Sequence, residues 1–176
     1  SGDVRLLIGS YWTALTFAGF LSLSRLWARE RDSELFRGLV QLRIPLGVLF
    51  LAKSTVLLLI LLTLALVASA MGTVVFGSGH LVWSIMWWST TLLFAVGFSL
   101  SASLFGALLA LSRLGDLRVT SLVLPLLSPI ILSAVVATRE YAADVPSAHV
   151  WLRLMGAYDL LVLSVGPWLF SKMAQP

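Results

Sequence analysis

Two lone histidines, one carboxylate inside an apolar run, a tryptophan cluster and a near-miss of a phosphate loop are the places where this chain could do chemistry. His80 and His149 are its only histidines. Neutral imidazole can ligate a metal ion or a heme iron, but each stands alone and reads first as an interfacial side chain. Trp83, Trp87 and Trp88 follow closely in W-S-I-M-W-W-S. Such rings gather at membrane–water boundaries; a flat apolar platform for a porphyrin is the sharper alternative. Asp159 is the one charged residue between Leu154 and Ser171. A charge at the bilayer centre costs about 2.5–3.5 kcal/mol on insertion scales. It is therefore expected to face other helices or a wet cavity, first as a hydrogen bond to a neighbouring helix and second as a proton relay.

Gly47 to Ser54 reads G-V-L-F-L-A-K-S, one residue from the phosphate-loop pattern. That loop needs its second glycine so that backbone can approach phosphate, after a strand and at the start of a helix. Ala52 takes the glycine's place and an apolar helix follows, so the chain is not expected to hydrolyse nucleotide itself. Paired carboxylates, metal-ligand spacing and a nucleophile–base pattern on one face are all missing. There is no cysteine, which removes thiolate metal sites and disulfides. The chain reads as a non-enzyme without a resident metal or cofactor.

The elements that hold these residues follow from composition. Of 176 residues, 59% are hydrophobic and 11% charged, against roughly 25% charged in soluble domains. That composition is an integral membrane protein. Its net charge of +4 signals orientation rather than nucleic-acid binding, because the basic residues stand beside apolar runs. The expected fold is an all-α polytopic membrane bundle forming a single domain over residues 1–176. Five spans are visible, at about 6–24, 53–71, 81–112, 119–138 and 154–171. Tyr11, Trp12 and Trp27 are expected in the aromatic belts of the first. Between Ser54 and Ser112 no Asp, Glu, Lys or Arg occurs. One helix of that length would far exceed a bilayer, so a break is expected at Gly72 to His80.

The third span carries Gly97, Ser99, Ser101, Ala102, Ser103, Gly106 and Ala110. Small residues at such spacing admit a close helix neighbour, ordinary packing within the chain being the plainer use. Pro125 and Pro129, one turn apart, predict a kinked or broken fourth span. An outer segment follows at Arg139 to Trp151.

Between the first two spans lies a charged island, Arg25 to Arg43, with five arginines and three acids. It cannot cross lipid, and Lys and Arg beside span ends favour the cytoplasmic side. Asp32 and Ser33 are helix-capping types and Glu34 puts negative charge in a first turn. Leu35, Phe36, Leu39 and Val40 recur at helical spacing, and Pro45 ends the run. The reading is a short amphipathic helix at the cytoplasmic surface. It either docks into a groove on a soluble partner, with Leu35, Phe36 and Leu39 as anchors, or lies on lipid. Lys53, Arg113 and Arg118 mark further inner interfaces. Nine of the twelve Lys and Arg fall inside on this topology. Five spans with the first end outside and the last inside predict one more span before Ser1, six in the complete protein.

The stretches Trp12 to Leu39, Leu51 to Ser54 (L-A-K-S), Leu122 to Thr138 (L-V-L-P-L-L-S-P-I-I-L-S-A-V-V-A-T) and Gly156 to Leu163 (G-A-Y-D-L-L-V-L) resemble, in order, the heme exporter protein B family. That family supplies the permease subunit of the cytochrome c maturation system and belongs to the type 2 ABC exporters. The resemblance implies six spans. It also implies a coupling helix at Glu30, Arg31, Asp32, Ser33, Glu34, Leu35, Phe36, Gly38 and Leu39, contacting a cytoplasmic ATPase that carries the ATP. Partners implied are that ATPase, the other maturation subunits and a heme chaperone, in a bacterial inner membrane. Heme is then handled by the complex. Ala52 departs from the family's frequent Gly before the lysine. The tryptophan cluster is not followed by the Asp of the W-W-D-type heme motif in the system's other membrane subunits. A permease for drugs, lipids or polysaccharides, and a scaffold without energy coupling, are the alternatives.

Overall fold

A segment in lipid must satisfy its backbone hydrogen bonds internally, so long apolar runs become helices. The computed structural model describes residues 2–28, 46–111 and 116–173. They form α1 (Gly2–Ala28), α2 (Leu46–Phe76), the four-residue α3 (Gly79–Val82), α4 (Ile85–Leu111), α5 (Asp116–Ala142) and α6 (Ala148–Met173). Among the described residues there is no strand. The fold is an all-α membrane helical bundle. Among the described residues, four helices contain segments long and apolar enough to cross a bilayer: Gly2–Leu26, Phe50–Phe76, Ile85–Gly106 and Ala148–Leu169. α5, 27 residues long, packs among them.

The bundle is a ring around a post. α4 touches α1, α2, α5 and α6, while those four close a ring in the order α1, α2, α6, α5. The most apolar window of α4 is 72% buried, against 39% in α1 and 22% in α2 and α6. Its composition permits this position. Gly97, Ser99, Ser101, Ala102, Ser103 and Gly106 are all buried, and small side chains allow several backbones to approach one helix. The small-residue stripe thus serves packing within the chain. A Cβ on Gly97 would collide with Ile130 Cδ1 and Asp159 Oδ1, and one on Gly19 of α1 would come within 2.5 Å of Phe98.

Large rings fill the space between α1 and α4. Tyr11 lies 4.6 Å from Trp87 and 5.1 Å from Trp12; Trp12 lies 5.1 Å from Phe94, and Phe94 5.5 Å from Phe98. The belt expected for Tyr11 and Trp12 is corrected here, since both are buried in the core. Buried Tyr and Trp need partners for their polar atoms. Tyr11 Oη shares a 2.9 Å hydrogen bond with Thr91 Oγ1, and Trp12 Nε1 donates to Thr138 Oγ1 at 2.8 Å.

The breaks also differ from expectation in detail. α2 runs straight through Gly72, whose Cβ position would lie 2.7 Å from Leu7 of α1; that glycine permits close packing. The turn falls at Gly77, where φ is +63°, a conformation glycine adopts without steric cost. α4 starts at Ile85 rather than Leu81, because Ser84 caps it. Ser84 Oγ accepts the Trp87 N–H at 3.2 Å and donates to Leu81 O at 2.7 Å, the geometry of an N-cap serine.

α5 is helical through both Pro125 and Pro129, so it is not broken. Pro129 has no N–H, which would orphan the Pro125 carbonyl. Ser128 Oγ donates to that carbonyl at 2.6 Å, and Ser133 Oγ to Pro129 O at 2.6 Å. Ser128 therefore takes over the donor that Pro129 lacks, while Ser133 adds a second donor to a carbonyl one turn on.

Candidate functional site

The segment singled out for docking, with Glu30, Arg31, Asp32, Ser33, Glu34, Leu35, Phe36, Gly38 and Leu39, lies outside the described residues, as does Arg113. The Arg118 side chain lies outside them too. What surrounds that segment is described. α1 ends at Ala28 and α2 begins at Leu46, and the two helices pack together, so both ends of segment 29–45 leave the same end of the bundle. Lys53 locks this corner. Only 8% exposed, its ammonium donates to Leu26 O at 3.2 Å. A cation against the carbonyls of a helix C-terminus is favourable, so α2 is fastened to the last turn of α1. α6 closes the corner from a third side: Gly47 faces Pro167, and Gly166 lies against the Phe50 ring.

A second polar site lies within the bundle, between α4 and α6. Tyr158 Oη and Ser101 Oγ share a hydrogen bond of 2.8 Å. Beside Tyr158, Asp159 is 6% exposed. Its carboxyl fills the space over Gly97, next to Ile130 Cδ1. The hydrogen bond expected from Asp159 to a neighbouring helix is absent. Neither carboxyl oxygen has a hydrogen-bond partner among the described residues. The reason is geometric: the surface of α4 opposite it is a glycine, which offers no side-chain donor.

At the far end of the bundle the histidines and tryptophans separate. His80 and His149 are exposed, and no group of three His, Asp or Glu able to hold a metal ion occurs among the described residues. Trp87 turns into the core, whereas Trp83 remains 51% exposed. Trp83 stacks on Trp88 at 5.9 Å and donates through Nε1 to Thr73 Oγ1 at 3.1 Å. The three rings therefore do not make one platform. The α5–α6 turn is clamped by Glu140, whose Oε2 accepts from Ser147 Oγ at 2.7 Å and Trp151 Nε1 at 2.9 Å.

Sequence reasoning passed over the Tyr11–Thr91 and Trp12–Thr138 pairs. A signal was present: Leu7, Tyr11, Leu15, Gly19 and Leu23 recur every four residues and are all buried, one stripe of a helix.

Comparison with known proteins adds the last observation. The family model described as CcmB protein matches residues 4–174. No curated protein and no solved structure matches the chain.

Proposed function

The chain belongs to the CcmB protein family, the permease subunits of heme exporters, and from that premise we propose that it couples ATP hydrolysis on a partner subunit to heme handling. It is a multi-pass membrane protein and a subunit of an ABC transporter complex. In our reading the complex sits in a bacterial inner membrane with segment 25–43 on the cytoplasmic side. Residues Glu30 to Leu39 dock on the ATPase. Nucleotide turnover there moves the bundle and serves heme delivery to, and release of, a periplasmic chaperone during cytochrome c assembly.

The observation that carries this reading is the family match along nearly the whole chain. The packing of the corner supports it. A segment hung between α1 and α2 can transmit displacement only if its roots are stiff, and the Lys53 bond to Leu26 O joins the two roots. A bound partner shifts a conformational equilibrium only by its differential affinity for the two states, so a rigid root is what converts docking into movement.

The test is co-purification of the ATPase from mild detergent with a chain carrying Leu35→Asp and Phe36→Asp. The expected result is loss of the ATPase at normal membrane levels of the variant. Undiminished association would sink the coupling role. Cysteine labelling from either side of the membrane at position 33 checks the orientation independently, and labelling from the periplasmic side would overturn it.

A further inference from the structure

Asp159 carries the one buried carboxyl among the described residues, and the proposed coupling role leaves its chemistry unused. Three observations define its surroundings. It is 6% exposed. Neither oxygen has a hydrogen-bond partner among the described residues. The space it enters is the one a side chain at Gly97 would take, shared with Ile130 Cδ1. The packing thus receives a carboxyl but offers it no hydrogen-bond donor among the described residues.

The charged and titratable groups on the packed helices do not alter this. α4 carries no Asp, Glu, Lys, Arg or His. Those of α5 are Asp116, Arg118, Arg139, Glu140 and Tyr141, all toward its ends. Lys53 of α2 donates to Leu26 O. On α6 itself Tyr158 is engaged with Ser101, His149 and Arg153 are exposed, and Lys172 lies in the last turn.

An isolated ionised carboxylate in such surroundings costs many kcal/mol, whereas a neutral acid costs only the burial of a polar group. Something must cancel the charge. A metal cation needs several oxygen ligands around it, and no group of three His, Asp or Glu that could hold one occurs among the described residues. A proton needs only the carboxyl oxygen.

We propose that Asp159 is a proton-binding site within the membrane, occupied while α4 and α6 are packed as seen here. Parting the two helices lets water reach the acid. The O–H bond then breaks, the proton passes to water, and a hydrated carboxylate remains. The packed form holds one proton more than the parted form, so acid favours packing. This inference does not rest on the coupling role.

Infrared spectroscopy of the whole protein in lipid, near neutral pH, tests it, with ordinary and with isotope-labelled aspartate. The expected result is the carbonyl stretch of a protonated acid that shifts on labelling and is lost in Asp159→Asn. Carboxylate bands alone would overturn the proposal, as would an acid band that survives in the variant. Should the Asn variant not fold, the wild type treated with a membrane-permeant carbodiimide, which reacts with protonated carboxyls, makes the assignment. An adduct on the Asp159 peptide supports the site. Together with an acid band, adducts only on other aspartates overturn it.

Discussion

Gly97 shows how much one missing methyl can decide. The volume it leaves is occupied by Asp159 Oδ1 from α6 and Ile130 Cδ1 from α5, so three helices meet over one α-carbon. Overpacking a filled core costs about 1–3 kcal/mol, and Gly97→Ala is expected to fall in that range. Thermal unfolding in detergent should show a lowered midpoint. Ile130→Val removes the Cδ1 atom, so adding it to Gly97→Ala should restore part of the loss, because residues in contact couple. Strict additivity of the two changes would contradict the geometry. Asp159 was legible as a buried group from its apolar neighbours alone. Its lack of a partner was not, because the residue opposite belongs to a helix more than fifty positions away. Tyr11 and Trp12 illustrate the same limit. An aromatic pair near the end of a span suits an interface or a core equally well, and the hydroxyls of Thr91 and Thr138 decide between them.

Among elements, the turns and the proline-bearing helix are the informative cases. Glu140 holds the α5–α6 turn by accepting from Ser147 and Trp151 on one oxygen. Hydrogen bonds to a charged group contribute about 1.5–3 kcal/mol. Glu140→Ala should therefore release the turn, and limited proteolysis should cut residues 143–147 several-fold faster than in the wild type. Glu140→Gln keeps an acceptor oxygen without the charge and should be cut at a rate between the other two; equal cleavage of all three would remove the clamp from the account. In α5 the two prolines argued for a break, yet the helix continues, with Ser128 supplying to the Pro125 carbonyl the donor that Pro129 lacks. That serine stands in the sequence directly before Pro129, so this repair could have been read from it. Gly72 and Gly77 could not have been told apart, since one serves close packing against Leu7 and the other a left-handed turn.

At the scale of the molecule, one helix surrounded by four governs tolerance to change. Ala102 on α4 is fully buried, whereas Ala157 on α6 is exposed on a helix that faces lipid. Leu at 102 must displace a neighbouring helix, while Leu at 157 meets acyl chains as apolar as itself. Ala102→Leu should abolish folded protein as judged by size-exclusion chromatography, and Ala157→Leu should leave its yield unchanged; equal yields would argue against a central α4. The sequence by itself determined the class of the molecule, because a chain so short of charge can hide its backbone from lipid only in helices. It determined the family as well, since the charged segment and its flanks survive as readable stretches. The tertiary structure alone decided which helix is the post and which residues meet across it. Contacts between distant segments depend on helix rotation and on how closely backbones approach, and neither is written in the local order of residues.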